Sequence, residues 1–243
     1  MALDINTSID FLKTRVDKTL SVQRHIAATW TWPLKTTAAW EEDSVQLDKS
    51  QPASKAALAI AAGIRTETAR GQIDKRLAII HSQTLTAVGV MRVRAQRSPE
   101  HADVVNELSA RGDSRKAIED EGTVLLSAWK EEFLPAFTPA PGITFVGFQG
   151  LFFGDEATTP KSPSLRALKQ ALSDAVTVER REVGRLNVLL TSVERDSVDW
   201  YSEATSVFPA GTETGDLIRA DIPTTTQYNP ATPAPGPVIP LAG

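Results

Sequence analysis

An apolar stripe through residues 165–207 constrains the fold more than any other feature of this sequence. Its members recur at intervals of three, four and seven residues, which places them along one side of a helix. They are Leu165, Leu168, Leu172, Val176, Val183, Leu186, Leu190, Val193, Trp200, Ala204 and Val207. Only Glu179 and Ser197 interrupt the series. At 1.5 Å per residue this helix would be about 65 Å long, so it needs partner helices of similar length to cover its apolar side.

Local signals mark both ends of this helix. The serine and proline at 162–163 suit its start, because a serine hydroxyl caps free N–H groups and proline lacks one. The sequence Phe-Pro-Ala-Gly at 208–211 suits its end. We therefore expect one helix from about residue 165 to residue 207.

Three other segments have helical periodicity and supply the partners. They cover residues 5–29, residues 52–97 and a third stretch that begins after Ser98 and ends near Phe133. The Arg-Gly-Asp sequence at 111–113 is expected to weaken or kink the third helix. Heptad-like spacing on antiparallel neighbours favours a bundle with shallow crossing angles. We predict an all-α fold, an elongated up-down bundle of about four helices, two of them long.

Three regions break the helical pattern and suggest the domain organisation. The sequence predicts a helical bundle domain over residues 1–211, with aromatic-rich connections at about 30–51 and 135–163. The tryptophans of the first connection are expected to cap one end of the bundle. Residues 212–243 are rich in proline and threonine, which favours an extended tail that is disordered or lies along a neighbour.

The composition argues against several classes of chemistry. The chain has no cysteine, which excludes disulfides, thiolate catalysis and iron–sulfur clusters. Its formal charge of −4 argues against a protein that binds nucleic acid through its net charge. The three histidines fall on three different predicted helices without a metal-ligand spacing, and no nucleotide-binding or hydrolase motif occurs. We therefore expect no enzyme, no cofactor, no metal ligands and no nucleic-acid partner.

The sequence also bears on location. The longest apolar runs, at 56–64 and 143–154, are shorter than the roughly 20 residues that a spanning helix needs. The first residues lack the basic start and unbroken apolar run of a signal peptide. A cytoplasmic protein is the expectation.

The most informative connection is the uncharged segment 143–154, which holds four of the eight phenylalanines. In one interpretation it forms a short helix or hairpin whose aromatic side chains fold back onto the bundle. In the other it is an exposed apolar tip that contacts a protein or a membrane. The candidate interaction residues are Phe145, Phe148, Leu151, Phe152 and Phe153.

Two functional hypotheses follow from these patterns. The first is a non-enzymatic structural or protein-interaction bundle that acts through self-assembly or a protein partner, because a long rod leaves apolar surface to share. We accordingly expect a homo-oligomer or a complex with another protein. The alternative is a membrane-active bundle that inserts the 143–154 connection into lipid.

Overall fold

The computed structural model describes residues 5–97, 112–133, 136–154 and 163–224. Within these ranges the chain forms seven α-helices and no β-strand, apart from one isolated bridge between Ala140 and Ile143. The helices are α1 (Ile5–Ile26), α2 (Thr37–Leu47), α3 (Lys55–Ala95), α4 (Arg115–Ala128), α5 (Phe145–Phe153), α6 (Leu165–Val207) and α7 (Glu213–Asp221). A π-helical turn, Trp129–Phe133, continues α4. The prediction of an all-α fold with two long helices is confirmed.

The long helices follow the sequence pattern. Helix α6 has 43 residues and begins and ends at the predicted residues. Helix α3 has 41 residues within the predicted range 52–97. The hydroxyl that caps α6 belongs to Ser164, which accepts a hydrogen bond of 3.2 Å from the backbone N–H of Ala167. The predicted capping residue, Ser162, lies outside the described residues, as does the part of the predicted third helix at 98–111.

The structure corrects the number of helices, because three short helices lie where connections or a tail were predicted. Helix α2 lies in the first connection, α5 in the second, and α7 in the predicted extended tail. Each is preceded by a capping threonine whose side chain accepts a backbone hydrogen bond, namely Thr36, Thr144 and Thr212. These helices are too short to show a clear period in sequence. Helix α7 is anchored by the fully buried Ile218, and residues 225–243 lie outside the described part of the chain.

The chain divides into two compact units. Unit 1 comprises residues 1–61 and 180–243, and unit 2 comprises residues 62–179. Both long helices contribute to both units. The bundle domain over residues 1–211 stays a prediction. The boundary in α6 falls at Glu179, one of the two polar interruptions of its apolar stripe.

In unit 1, α1 and α2 form an antiparallel pair. The carboxylate of Asp10, near the start of α1, accepts from Lys49 at 2.7 Å, just after α2. Near the other end, the Gln23 side chain donates to Thr37 at 3.3 Å. The core of this unit is closed by large buried side chains, which include Ile9, Val16, Trp40, Leu186 and Trp200.

The second half of α6 runs in the same direction as α1. The side chain of Arg15 donates to the backbone oxygen of Ser197 at 3.3 Å, and farther along the chain Trp30 packs against Trp200 and Phe208. In a simple up-down bundle of four helices, the first and last helices are antiparallel. Helix α1 and the second half of α6 are parallel instead, so unit 1 does not have the predicted up-down order.

In unit 2, α4 runs in the same direction as α3. Arg115 forms two hydrogen bonds of 2.6 and 2.7 Å with Asp74, and about two helical turns later on both helices Gly122 lies against Ile80. The first part of α6 and all of α5 pack on these two helices. The core residues of this unit include Ile73, Leu77, Ile80, Met91, Leu125, Trp129, Phe148, Phe152, Leu165 and Leu168.

Candidate functional site

Helix α5 carries all of the candidate interaction residues. It begins after Thr144, whose hydroxyl accepts a hydrogen bond of 3.1 Å from the backbone N–H of Gly147. It contains no charged residue, so neither side of the helix is polar enough to mark its solvent face from sequence. Which residues face the core is therefore decided by docking in unit 2.

Two of the five candidates, Phe148 and Phe152, are buried in the core of unit 2. The ring of Phe148 lies with its centroid 6.0 Å from that of Trp129 and 5.6 Å from that of Phe152. Helix α4 approaches closely here because residue 122 is glycine: a Cβ at this position would lie 2.4 Å from Cζ of Phe152. For these two residues the structure shows the folded-back arrangement, not an exposed tip.

The other three candidates are partly covered or exposed. Phe145 packs edge-on against Trp129 at 6.0 Å between centroids, and Leu151 is half-buried against the same core. Phe153 is 54% exposed. The structure adds Val146, which is 50% exposed and was missed although it precedes Phe153 by two helical turns. Val146 and Phe153 therefore form the outward side of α5.

A surface cleft of about 480 Å³ lies beside α5. It is lined by Glu119, Thr123, Phe152, Phe153, Leu165, Arg166, Lys169 and Gln170. Lys169 binds the carboxylate of Glu119 at 2.5 and 2.6 Å, so these two charges neutralise each other. The hydroxyl of Thr123 donates to the backbone oxygen of Glu119 at 2.9 Å, an ordinary bond within a helix. The cleft therefore has an apolar wall, the Glu119–Lys169 ion pair and one further cation, Arg166.

Two residues of unit 1, Glu182 and Arg15, have shifted pKa values. Hydrogen bonding from Arg181, helped by Arg185, lowers the pKa of Glu182 in α6. Burial lowers the pKa of Arg15 in unit 1, although the charge of Glu194 opposes that shift. Contacts within α6 explain the shift of Glu182, and burial in the core of unit 1 explains that of Arg15.

The described residues contain no group of three or more histidine, cysteine or acidic side chains placed to hold a metal ion. None of the helices in the same residues is both long and apolar enough to cross a membrane.

A second surface lies on α3, on the side opposite the core of unit 2. We call it the α3 face and define it as Ala78, Ile79, Ser82, Leu85, Thr86, Gly89 and Val93. Its three large apolar side chains, Ile79, Leu85 and Val93, are 44%, 50% and 55% exposed. No Lys, Arg, Asp or Glu occurs between Leu77 and Met91. An exposed helix side normally carries charged residues, so this face is unusual for a helix in contact with water.

The spacing on this face is that of a coiled-coil seam. Ile79, Ser82, Thr86, Gly89 and Val93 follow one another at steps of three, four, three and four, which average the 3.5-residue period. Leu85 lies beside this series. Sequence analysis missed the surface because α3 carries a second apolar series, and that series forms the buried side.

Comparisons with protein-family models, with curated proteins and with solved structures gave no significant match for this chain. Its functional interpretation therefore depends on the surfaces of α5 and α3.

Proposed function

We propose that this protein is a non-enzymatic structural or protein-interaction bundle that acts through a protein partner or through further copies of itself. The single observation that supports this proposal is the uncharged α3 face, with exposed Ile79, Leu85 and Val93. We assign the contact to this face.

The physical argument is that contact with water does not explain why this face is uncharged. Polar or charged residues opposite the core would cost nothing in folding, and they would keep the helix soluble. A facing helix, in contrast, would bury these apolar side chains with a gain of about 25 cal/mol per Å². The 3.5-residue spacing allows side chains of a second helix to pack between Ile79, Thr86 and Val93.

Photo-crosslinking in cells that make the protein tests this proposal. The photoreactive residue p-benzoylphenylalanine replaces Thr86 on the α3 face, and a matched protein carries it at Val188, an exposed position on α6. We expect a protein adduct of defined mass at position 86 that disappears when Leu85→Asp is added. Position 188 should give no such product. Absence of any protein adduct at position 86, or equal adducts at both positions, would refute the proposal.

A membrane-active bundle is the second candidate, and the outward side of α5 supports it. Val146 and Phe153 are about half exposed on a helix without charge. Insertion through Phe148 and Phe152 would first require these side chains to leave the core of unit 2. Any lipid contact that α5 makes in the folded protein therefore falls to Val146 and Phe153.

Vesicle flotation tests this alternative. The variant Val146→Asp with Phe153→Asp changes only exposed side chains, whereas aspartate at 148 or 152 would disrupt the core. If α5 binds lipid, the wild-type protein floats with phosphatidylcholine vesicles and the double variant does not. Val188→Asp, which alters an exposed valine on α6, is the matched control. Equal flotation of all three proteins, or none by the wild type, would end this alternative.

A further inference from the structure

We propose that the α3 face binds an acidic amphipathic helix of a different protein, and not a second copy of this chain. This inference rests on the proposed function and adds the chemistry of the partner. Its three supports are the charge of α3, the placement of that charge around the α3 face, and the small side chains at the centre of the face.

Helix α3 is basic in a chain that is acidic as a whole. It contains seven lysines and arginines and two acidic residues, while the formal charge of the protein is −4. Both acidic residues are engaged: Glu67 pairs with Arg70 and Asp74 with Arg115. Three of these cations, Lys75, Arg92 and Arg94, are exposed within one helical turn of the α3 face, and the one acidic residue of α3 at that distance, Asp74, is the one paired with Arg115. A helix that approaches this face gains attraction if it carries carboxylates beside its own apolar stripe.

The positions of the cations disfavour pairing between two copies. Lys75 precedes Ile79 by one helical turn, and Arg92 and Arg97 lie at the other end of the face. Two parallel copies would bring Lys75 next to Lys75. Two antiparallel copies, centred on Thr86, would bring Lys75 next to Arg97. Either arrangement places like charges opposite each other and is opposed by repulsion.

The centre of the face favours a helix over a lipid surface. Ser82 and Gly89 have small side chains, which allow the backbone of a second helix to approach closely. Helices that lie on membranes usually present bulky aromatic and leucine side chains to the lipid. The α3 face contains one leucine and no aromatic residue. A well-packed helix fits this surface better than acyl chains do.

A matched pair of synthetic peptides tests the inference with the full chain. Both peptides are three-heptad amphipathic helices with the same leucine and isoleucine stripe, and the flanking positions are glutamate in one and lysine in the other. Fluorescence anisotropy measures binding of each labelled peptide to the protein. We expect the acidic peptide to bind at least about tenfold more tightly than the basic one. That preference should shrink as salt is raised.

Variants localise the binding and its charge dependence. Leu85→Asp should abolish binding of the acidic peptide, while Leu34→Asp, at an exposed leucine in unit 1, should leave it unchanged. Lys75→Glu should reduce the preference for the acidic peptide. Equal binding of both peptides, or binding that survives Leu85→Asp, would overturn the inference.

Two further measurements separate this inference from the proposed function. Sedimentation equilibrium of the protein alone would overturn the inference if it shows a dimer that Leu85→Asp dissociates, but the proposed interaction function would stand. Flotation with phosphatidylserine vesicles that is lost in Leu85→Asp, without peptide binding, would instead assign the face to lipid. Failure of peptide binding together with failure of the position-86 crosslink would remove both proposals.

Discussion

The contact between Gly122 and Phe152 gives the sharpest test of the structure of unit 2. Gly122 is in the middle of α4, where alanine is normally favoured over glycine by about 1 kcal/mol. Helix propensity alone therefore predicts that Gly122→Ala raises the free energy of unfolding. The structure predicts the opposite, because the new methyl group would lie 2.4 Å from Cζ of Phe152 and 3.1 Å from a methyl group of Ile80.

The magnitude follows from how little the neighbours can move. Carbon atoms in contact are normally about 3.5–4.0 Å apart, so the Phe152 ring would have to shift by about 1 Å. That ring is buried and packs against Phe148. Overpacking a core in this way costs about 1–3 kcal/mol. The gain in helix propensity offsets part of this overpacking cost. We therefore expect Gly122→Ala to lower the free energy of unfolding of unit 2 by about 1 kcal/mol.

A double-mutant cycle isolates this contact. Phe152→Leu removes the end of the ring that the alanine would meet. Gly122→Ala should therefore cost less, or stabilise, in the Phe152→Leu background, with a coupling of about 1 kcal/mol or more. Gly184→Ala in α6 is the matched control, because a Cβ there meets no atom within 4 Å, and it should stabilise by the propensity term alone.

Hydrogen exchange followed by mass spectrometry suits this measurement. Two compact units can unfold separately, so one global unfolding curve would mix their stabilities. Hydrogen exchange reports the stability of α4 and α5 separately from that of unit 1. For Gly122→Ala and Phe152→Leu, peptides from α1 and α2 provide an internal reference that should not change. A stability gain of about 1 kcal/mol for Gly122→Ala, with no coupling to residue 152, would refute the packing of α5 on α4.

Three further substitutions test other parts of the structure. Arg15 is buried, and although its side chain donates to the backbone oxygen of Ser197, its Nε has no hydrogen-bond partner among the described residues. The cost of burying this charge offsets that one bond, so Arg15→Met should leave the melting temperature unchanged or raise it; a loss of more than about 2 kcal/mol would contradict this. Trp129→Phe removes the 3.0 Å bond from Nε1 to the backbone oxygen of Phe137 and should cost about 1–2 kcal/mol in urea unfolding. The pKa of Glu182 is lowered in the folded protein, chiefly by Arg181, so the carboxylate stabilises the fold above its ordinary pKa range and less as the pH falls through its folded pKa. Glu182→Gln should therefore lower the melting temperature at pH 7, and the difference should disappear in acid; a difference that does not depend on pH would exclude this role.

The sequence predicted α6 almost completely, because its stripe is apolar on one side and polar on the other. A period of 3.6 residues then defines both the helix and its buried side. The short helices α2 and α7 were missed because each has too few turns for a period to be visible. Their threonine caps, Thr36 and Thr212, were the available signals, although a single threonine is too common to predict a helix.

The candidate surfaces show a different limit. The sequence identified the segment 143–154 as apolar and uncharged, and the structure places Phe148 and Phe152 in the core but Phe153 outside it. On α5 the one polar side chain, Gln149, lies on the exposed side between Val146 and Phe153. A single uncharged residue on a helix of nine is too weak a signal to distinguish the buried side from the exposed one.

Helix α3 poses the same question on a larger scale. It carries two apolar series: the one with Ile73, Leu77 and Ile80 is buried, and the one with Ile79 and Val93 is exposed. Periodicity establishes that α3 is a helix and that both series exist. The choice between them depends on which neighbours pack against the helix, and those neighbours, α4 and α5, are distant in sequence. Helix formation is thus determined by local spacing and capping, whereas the surface that is left for a partner is determined by long-range packing.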